Sequence, residues 1–436
     1  MPYDGCKKTR AATRHEREDH MSTYDQDVHD GKTQVSPRPQ ARVPQADNPY
    51  AGGQPYEGNP YADVDQPRVA RRQQPQGAGR GSGSGTGSGR GSGMRRPHLP
   101  SGKPRHGCLS LLLWLVMVPT VALMWMRTIP LEDSTGPAIP ELVSFIPLLF
   151  IPVAIVVVLA LLWRRYLLVI VSAASLGLLL FWHWGYFVPS GRLTNPPATT
   201  QASSPSTSDS YLRLMTLSAD GGRASATEVV RAVREEGVEV LAMQEVSWAL
   251  IDELEEAGLT DILPNMVQGM AGNHDNGGIN CLWFRASVSN PSDNLLDIDT
   301  SAMSAGSIQV GGKTLRFVSA HPNSPVRNAQ ALWSEGLNVL EQLSSYDHNY
   351  VIMGDFNATW NHAAFRALLG TTFVDAGEQA GEWFHMTFPS NMPIPPLIEI
   401  DHIVYTKGAG LFVGKLATRS IPGTDHQALL GTMQAS

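Results

Sequence analysis

Residues 351–360 read VIMGDFNATW, an apolar run that ends in an acid, a bulky aromatic and an amide. In a strand successive side chains alternate faces, so a strand through this run would put Asp355 and Asn357 on one side and turn Phe356 back into the protein. Gly, Asp and Asn each favour turns for backbone reasons, and four such residues by themselves are equally well a turn. The rest of the chain decides between the two readings, because other apolar runs end in the same way.

Leu212 to Leu217 reads as a strand, and Ser225-Ala-Thr-Glu228 carries the capping-box pattern that starts a helix running to Glu236 and stopping at Gly237. Val238 to Val246 reads as a buried strand, Ser247 to Ala257 as a helix and Asn280 to Ala286 as a strand. Thr314 to His321 follows as a strand, Pro325 sits where the first turn of a helix tolerates proline, and that helix continues to about Ser345. Tyr350 to Gly354, Ile398 to Tyr405 and His426 to Met433 complete the strands. This mixture predicts an α/β domain over residues 211–436 built on two packed mixed sheets.

Outward from that domain the composition changes twice. Residues 1–106 are polar and rich in Gly, Pro, Arg, Gln and Asp, without the apolar periodicity that offsets the entropy of ordering a chain. A disordered cytoplasmic tail is expected there. The repeated Asn48-Pro-Tyr-Ala51 and Asn59-Pro-Tyr-Ala62 motifs and the Gly/Ser/Arg tract from Gly77 to Gly93 suit a solvated tether, with a docking tail for a protein partner as the alternative.

In residues 107–189, Leu109 to Met126, Leu142 to Trp163 and Tyr166 to Phe187 are each close to the ~20 apolar residues that span a bilayer as a helix. Three crossings are expected, with Trp182, His183, Trp184 and Tyr186 as an interfacial aromatic belt. Arg95, Arg96, Lys103 and Arg105 precede the first span and Arg164-Arg165 link the second to the third, whereas Arg127 to Glu141 holds Glu132, Asp133 and Glu141 against one Arg. By the positive-inside rule the tail is cytoplasmic and everything after Pro189 lies outside the plasma membrane. Residues 190–210, rich in Ser, Thr and Pro, read as a stalk.

A net charge of −7 without a basic face in the C-terminal half does not suit a protein that grips nucleic acid by charge alone. The three cysteines, Cys6, Cys108 and Cys281, fall in three different regions and build neither a disulfide framework nor a CxxC metal site.

Within residues 211–436 the polar residues gather where strands end: Gln244-Glu245, His321, Asp355 with Asn357, Asp401, and Asp425-His426. Unpaired buried carboxylates are costly, so acids on several strands make sense if they converge on a cation. A hard ion such as Mg²⁺, with Mn²⁺ as the alternative, takes oxygen ligands, and a histidine oriented by an acid can accept a proton from water near neutral pH.

QE at Gln244-Glu245, HP at His321-Pro322, GDFN at Gly354 to Asn357, IDH at Ile400 to His402 and TDH at Thr424 to His426 occur in the order found in the endonuclease/exonuclease/phosphatase superfamily. The domain resembles that superfamily, and in particular its membrane-tethered bacterial members. The resemblance implies a four-layer α/β sandwich and Mg²⁺-dependent cleavage of a phosphate ester. It implies Glu245 as principal metal ligand, Asp425 at or near the metal, and His426 held by Asp401 as the base. Asp355 and Asn357 would contact the scissile phosphate, and His321 would hydrogen-bond a phosphate oxygen.

The sequence departs from the family where the first strand ends, since Ser218-Ala-Asp220 replaces the expected asparagine. Ser218 could hold a metal-bound water, and Asp220 could substitute as an oxygen ligand. A second departure is that His321 has no acidic partner near Gly278 to Asn280. The expected function is a membrane-anchored hydrolase acting outside the cytoplasm on nucleic acid, a phospholipid head group or an envelope phosphodiester. The alternative is a degenerate domain that binds a phosphate-bearing ligand or a partner protein. Met392 to Leu397, MPIPPL, reads as an ordered connection before a strand, with a lipid-facing lip as the alternative.

Overall fold

Strands buried on both faces read as continuous apolar runs, and the chain holds two sets of them separated by amphipathic helices. The computed structural model describes residues 107–130, 138–194, 210–270, 276–296, 298 and 301–436. The N-terminal tail, Glu132 and Asp133, and residues 195–209 of the stalk lie outside the described residues. Residues 190–194 lie on the domain, where the Ser190 amide donates to Gln379 O and the Thr194 amide to Gln434 Oε1.

The described residues begin with five α-helices: α1 (Gly107–Met126), α2 (Ile139–Ser144), α3 (Phe150–Leu162), α4 (Tyr166–Trp182) and the short α5 (Trp184–Phe187). Among the described residues one helix, Cys108–Met126, is long and apolar enough to cross a membrane; Ile146–Leu162 and Tyr166–Trp182 are apolar but shorter. The aromatic group that closes α4 is not an exposed belt. His183 and Tyr186 are buried, with Tyr186 stacked on Phe384 at 4.5 Å, and only Trp184 is well exposed.

Next come β1 (Tyr211–Ser218), α6 (Ala226–Glu236), β2 (Val240–Val246), α7 (Trp248–Glu256), β3 (Asn265–Gln268) and β4 (Ile279–Phe284). Then follow β5 (Ser289–Ser292), β6 (Ala305–Val310), β7 (Lys313–Ala320), α8 (Gln330–Glu341), β8 (Asn349–Asp355) and α9 (Ala363–Leu369). The chain ends with β9 (Phe373–Asp375), α10 (Ala376–Ala380), β10 (Asp401–Thr406), β11 (Leu411–Ser420) and β12 (Gln427–Ala435). One six-stranded sheet has the order β11-β12-β1-β2-β4-β3 and the other β5-β6-β7-β8-β10-β9. Each sheet has one parallel pair at its centre, β1 with β2 and β7 with β8, and antiparallel neighbours around it.

Period-2 alternation sorts the side chains into layers. Leu212, Leu214, Phe284, Phe317, Val351 and Met353 meet between the sheets. Met215, Leu217 and Met243 face α6 and α7 through Val229, Val233 and Leu254, while Val318, Ile352 and Val404 face α8 and α9 through Trp333, Leu337 and Phe365. The result is two packed mixed sheets covered by helices on both outer faces.

Two local expectations fail. Ser225 caps α6 by position only, without a side-chain hydrogen bond; its amide donates to Pro422 O at 2.8 Å, and Glu228 pairs with Arg231 instead of reaching back. The helix after His321 starts at Gln330 rather than at Pro325, since Asn328 takes a left-handed backbone (φ 68°) that no helix continues through.

Candidate active site

The site grows out of strand ends that lie side by side. In the β8–β10 ladder Asp355 stands directly opposite Asp401, and like charges in that position repel. What compensates them is His426, one residue before β12: its Nδ1 lies 2.8 Å from Asp401 Oδ2, and its Nε2 lies 3.6 Å from Asp355 Oδ2 and 3.9 Å from Asp425 Oδ1. Burial alone would lower the His426 imidazole, but the surrounding charges of Asp401, Asp355 and Asp425 hold it up at about 10. The Phe388 ring, 5.0 Å away, closes one side of the imidazole, and the Ser390 amide donates to Asp425 O at 2.7 Å. The base of the MPIPPL loop therefore packs on the site, while Met392 and Ile394 at its tip are exposed.

His321, just beyond β7, is the second imidazole. Its Nε2 lies 3.5 Å from Glu245 Oε1 and 3.6 Å from Asp355 Oδ2. Burial and the charge of His426 push it down to about 4, so it is neutral at physiological pH. Asn276 supplies the contact absent near Gly278 to Asn280, an amide 3.4 Å from Nδ1 in place of an acid. The neutral ring carries one proton, and Nε2 is the nitrogen that faces the carboxylates.

Glu245 reaches this centre through a β-bulge. The β2–β4 register shifts between Met243 and Val246, and Glu245 takes φ 54°, a left-handed backbone uncommon outside glycine. Gln244 turns between the sheets, donating to Ser319 Oγ at 2.9 Å, which leaves Glu245 to point out of the strand end. Gly277 and Gly278 close over it: a Cβ on Gly277 would sit 2.4 Å from Glu245 Cδ. The Gly221 amide donates to Glu245 Oε2 at 2.9 Å.

Asp355 and Asn357 do share one side, but not through strand alternation, because β8 ends at Asp355 and Asn357 has φ 50°. An Asx turn makes the arrangement: the Asn357 amide donates to Asp355 Oδ1 at 2.8 Å, and its side-chain Nδ2 donates to Pro322 O at 3.1 Å. Phe356 is fully buried between Phe365 and His402.

Burial raises the Asp355, Glu245 and Asp425 carboxyls above their ordinary range, with Asp355 furthest, and the charge of His426 offsets this only in part. Oxygen atoms of Asp355 and Asp401 and a nitrogen of His426 lie within 4.8 Å of one another, a set that could hold a metal ion. Two further oxygens are buried without a hydrogen bond, Ser218 Oγ at the end of β1 and Asp401 Oδ1. This donor set, almost all oxygen and acidic, fits a hard divalent cation. Asp220 pairs with Arg223 through both of its carboxylate oxygens and lies close enough for its charge to act on Glu245 and Asp425.

Sequence reading missed the support behind the site. His402 follows Asp401 along β10 and so points to the opposite face; it is buried, bonds Asp375 Oδ1 at 3.0 Å and donates to Ala358 O at 2.8 Å. The alternation within Asp401-His402 was the available signal that one of the pair serves structure.

Residues 215–426 match the Endonuclease/Exonuclease/phosphatase family. No curated protein matches the chain. Among solved structures, D. rerio TDP2 complexed with single strand DNA product is 17% identical, with a TM-score of 0.44, over 52% of this chain and 100% of that one. An endonuclease/exonuclease/phosphatase family protein from Leptotrichia buccalis is 15% identical, with a TM-score of 0.40, over 51% and 99%. Sphingomyelinase C from Streptomyces griseocarneus is 16% identical, with a TM-score of 0.37, over 51% and 99%.

Proposed function

Because residues 215–426 belong to the Endonuclease/Exonuclease/phosphatase family, we propose that this chain is a membrane-anchored, divalent-metal-dependent phosphoesterase acting outside the cytoplasm. The observation that carries the reading is the Asp401–His426 pair, 2.8 Å apart and buried, whose other ring nitrogen faces the acids of the site. Asp401 fixes the ring with its proton on Nδ1, so Nε2 is the nitrogen that takes a proton from the attacking water. Compensating the charge of Asp355 and Asp425 brings His426 down from its high value, which frees Nε2 to accept.

Glu245 and Asp425 would hold the cation, with Ser218 reaching it through water. When bound, Mg²⁺ or Mn²⁺ supplies Lewis-acid polarisation of the phosphoryl oxygen. Neutral His321 donates its Nε2 proton to a phosphate oxygen. Asn357, held by its Asx turn, and Asp355 orient the ester against the base. The substrate is a phosphodiester or phosphomonoester carried by extracellular nucleic acid, a phospholipid head group or an envelope polymer. The apolar faces of α1, α3 and α4, with Leu111, Leu115, Ile151, Leu162, Leu167 and Phe181 exposed, favour three membrane passages.

The test is turnover by the full chain in detergent against DNA, RNA, phospholipids and a generic phosphomonoester, with Mg²⁺ or Mn²⁺ and with chelator. Chelation should abolish activity, and Glu245→Ala and His426→Ala should each lower kcat by about 10²–10⁴. Turnover that survives both substitutions would remove the proposed site. An inert parent chain that still binds Mn²⁺ would favour the binding-only alternative.

A further inference from the structure

The loop that leaves the reactive strand end is capped by the apolar helices. Carbonyls in the last turn of a helix have no partner within it and need donors from elsewhere. Here the donors come from the loop between β8 and α9 and from α9 itself. Trp360 Nε1 donates to Trp182 O at the end of α4 at 3.0 Å, and Arg366 Nη2 donates to Arg127 O just past α1 at 3.0 Å. The exchange runs the other way through Arg127, whose Nε donates to Asn361 Oδ1 at 2.9 Å while its guanidinium lies 4.4 Å over the Trp182 ring.

His362 completes the junction. The Thr359 amide donates to its Nδ1 at 2.7 Å, which puts the ring proton on Nε2, and Nε2 donates to Pro140 O in α2 at 2.9 Å. Asn361 and His362 are 1% exposed and Arg127 is 7% exposed. A passive tether needs no buried arginine and no polar contacts this specific.

On its inner side the same loop is the site. Phe356 N–H donates to Ile400 O at 2.9 Å, Asn357 holds its left-handed backbone against Asp355, and Ala358 O accepts from His402. Four residues therefore separate Asp355 from Trp360, with one end of the loop bonded into the reactive centre and the other into α1, α2 and α4.

We propose that the helical segment is part of the hydrolase itself, with Arg127, Trp360, Asn361 and His362 as positioning residues that clamp the Asp355–Asn357 loop in its reactive conformation. The catalytic consequence rests on the phosphoesterase reading; the clamp does not. Losing one clamp contact leaves the sheets intact and loosens the loop, which moves Asp355 and Asn357 relative to His426. Small misplacements of that kind act on the reaction more than on binding.

The experiment uses the full chain in detergent, with Arg127→Ala and Trp360→Phe, the latter keeping an aromatic ring while removing the N–H donor. Hydrogen exchange of the peptide covering residues 356–362 should quicken about 10-fold in both, and that of residues 212–217 in β1 should stay unchanged. On the substrate the parent turns over best, kcat should fall about 10-fold with KM within about 2-fold. Exchange within about 2-fold of the parent in both variants would overturn the clamp, whatever the turnover. Faster exchange with unchanged kcat would overturn the positioning role. If the parent hydrolyses nothing, the phosphoesterase reading fails by itself, and the exchange rates still decide the clamp.

Discussion

Ser218 stands where the family resemblance leads one to expect an asparagine, and its hydroxyl is buried without a hydrogen bond. A buried hydroxyl with no partner has lost its bonds to water and opposes folding, so its removal carries no polar cost. Ser218→Ala is therefore expected to melt within about 2 °C of the parent. If the hydroxyl serves the cation through water, the Mg²⁺ concentration for half-maximal turnover should rise about 10-fold, as for other groups one step removed from a metal. An unchanged Mg²⁺ requirement would show that Ser218 is only a space-filler. The acids and histidines of the site were legible in the sequence because charged side chains at the ends of apolar runs have few other reasons to be there. Asn276 and Asp375 were not legible. An amide in a loop and an acid capping the five-residue α10 look like ordinary turn chemistry until the fold brings them beside His321 and His402.

At the scale of elements, most central strands could be read from their unbroken apolar runs, while the interior strand β6 and the edge strands β3, β5, β9 and β11 could not. β5 is Ser-Asn-Pro-Ser on a sheet edge, and β11 is interrupted by a bulge at which Lys415 takes φ 51°. Short or irregular edge strands carry weak alternation because only one neighbour constrains them. The bulge in β2 was hidden for a different reason. Nothing in Gln244-Glu245 announces the extra residue that turns one side chain between the sheets and the other into the site. What holds Glu245 there is the Gly277-Gly278 turn, and this gives an element-scale prediction. At Gly277 (φ 81°) a methyl group would meet Glu245 Cδ, the mobile end of a side chain, so Gly277→Ala should cost about 1 kcal/mol of stability from the left-handed backbone. Activity should fall much further, about 10²-fold in kcat/KM, because the displaced atom belongs to the carboxylate that would hold the cation. Parallel melting and kinetic curves for the variant check this, and an activity loss no larger than the stability loss implies would refute it.

At the scale of the whole molecule, the two sheets with their helix layers form the family fold, and the helical segment meets it at one end only. The end of α1 at Arg127, the start of α2 at Pro140 and the end of α4 at Trp182 all touch the α/β domain, the parity that the proposed three passages would require. In the proposed topology Arg164-Arg165, at the far ends of α3 and α4 where the tight turn uses a left-handed Arg164 (φ 52°), would face the cytoplasm. Arg127 runs against the positive-inside rule if its end is external, and its burial over Trp182 supplies the reason it is tolerated there, since a guanidinium satisfied by Asn361 and an aromatic face no longer acts as a free topological charge. The 17-residue lengths of Ile146–Leu162 and Tyr166–Trp182 reach about 26 Å at 1.5 Å per residue, so under the proposed topology these two helices would need a locally thin bilayer or flanking residues that extend them. Reporter fusions decide the arrangement. Alkaline phosphatase, which is active only outside the cytoplasm, should be active when fused after Ser436 and silent when fused after Arg165. A cytoplasmic reporter such as green fluorescent protein should give the complementary pattern. Silence at Ser436 together with activity after Arg165 would invert the topology, and with it the exposure of the site to extracellular phosphate esters.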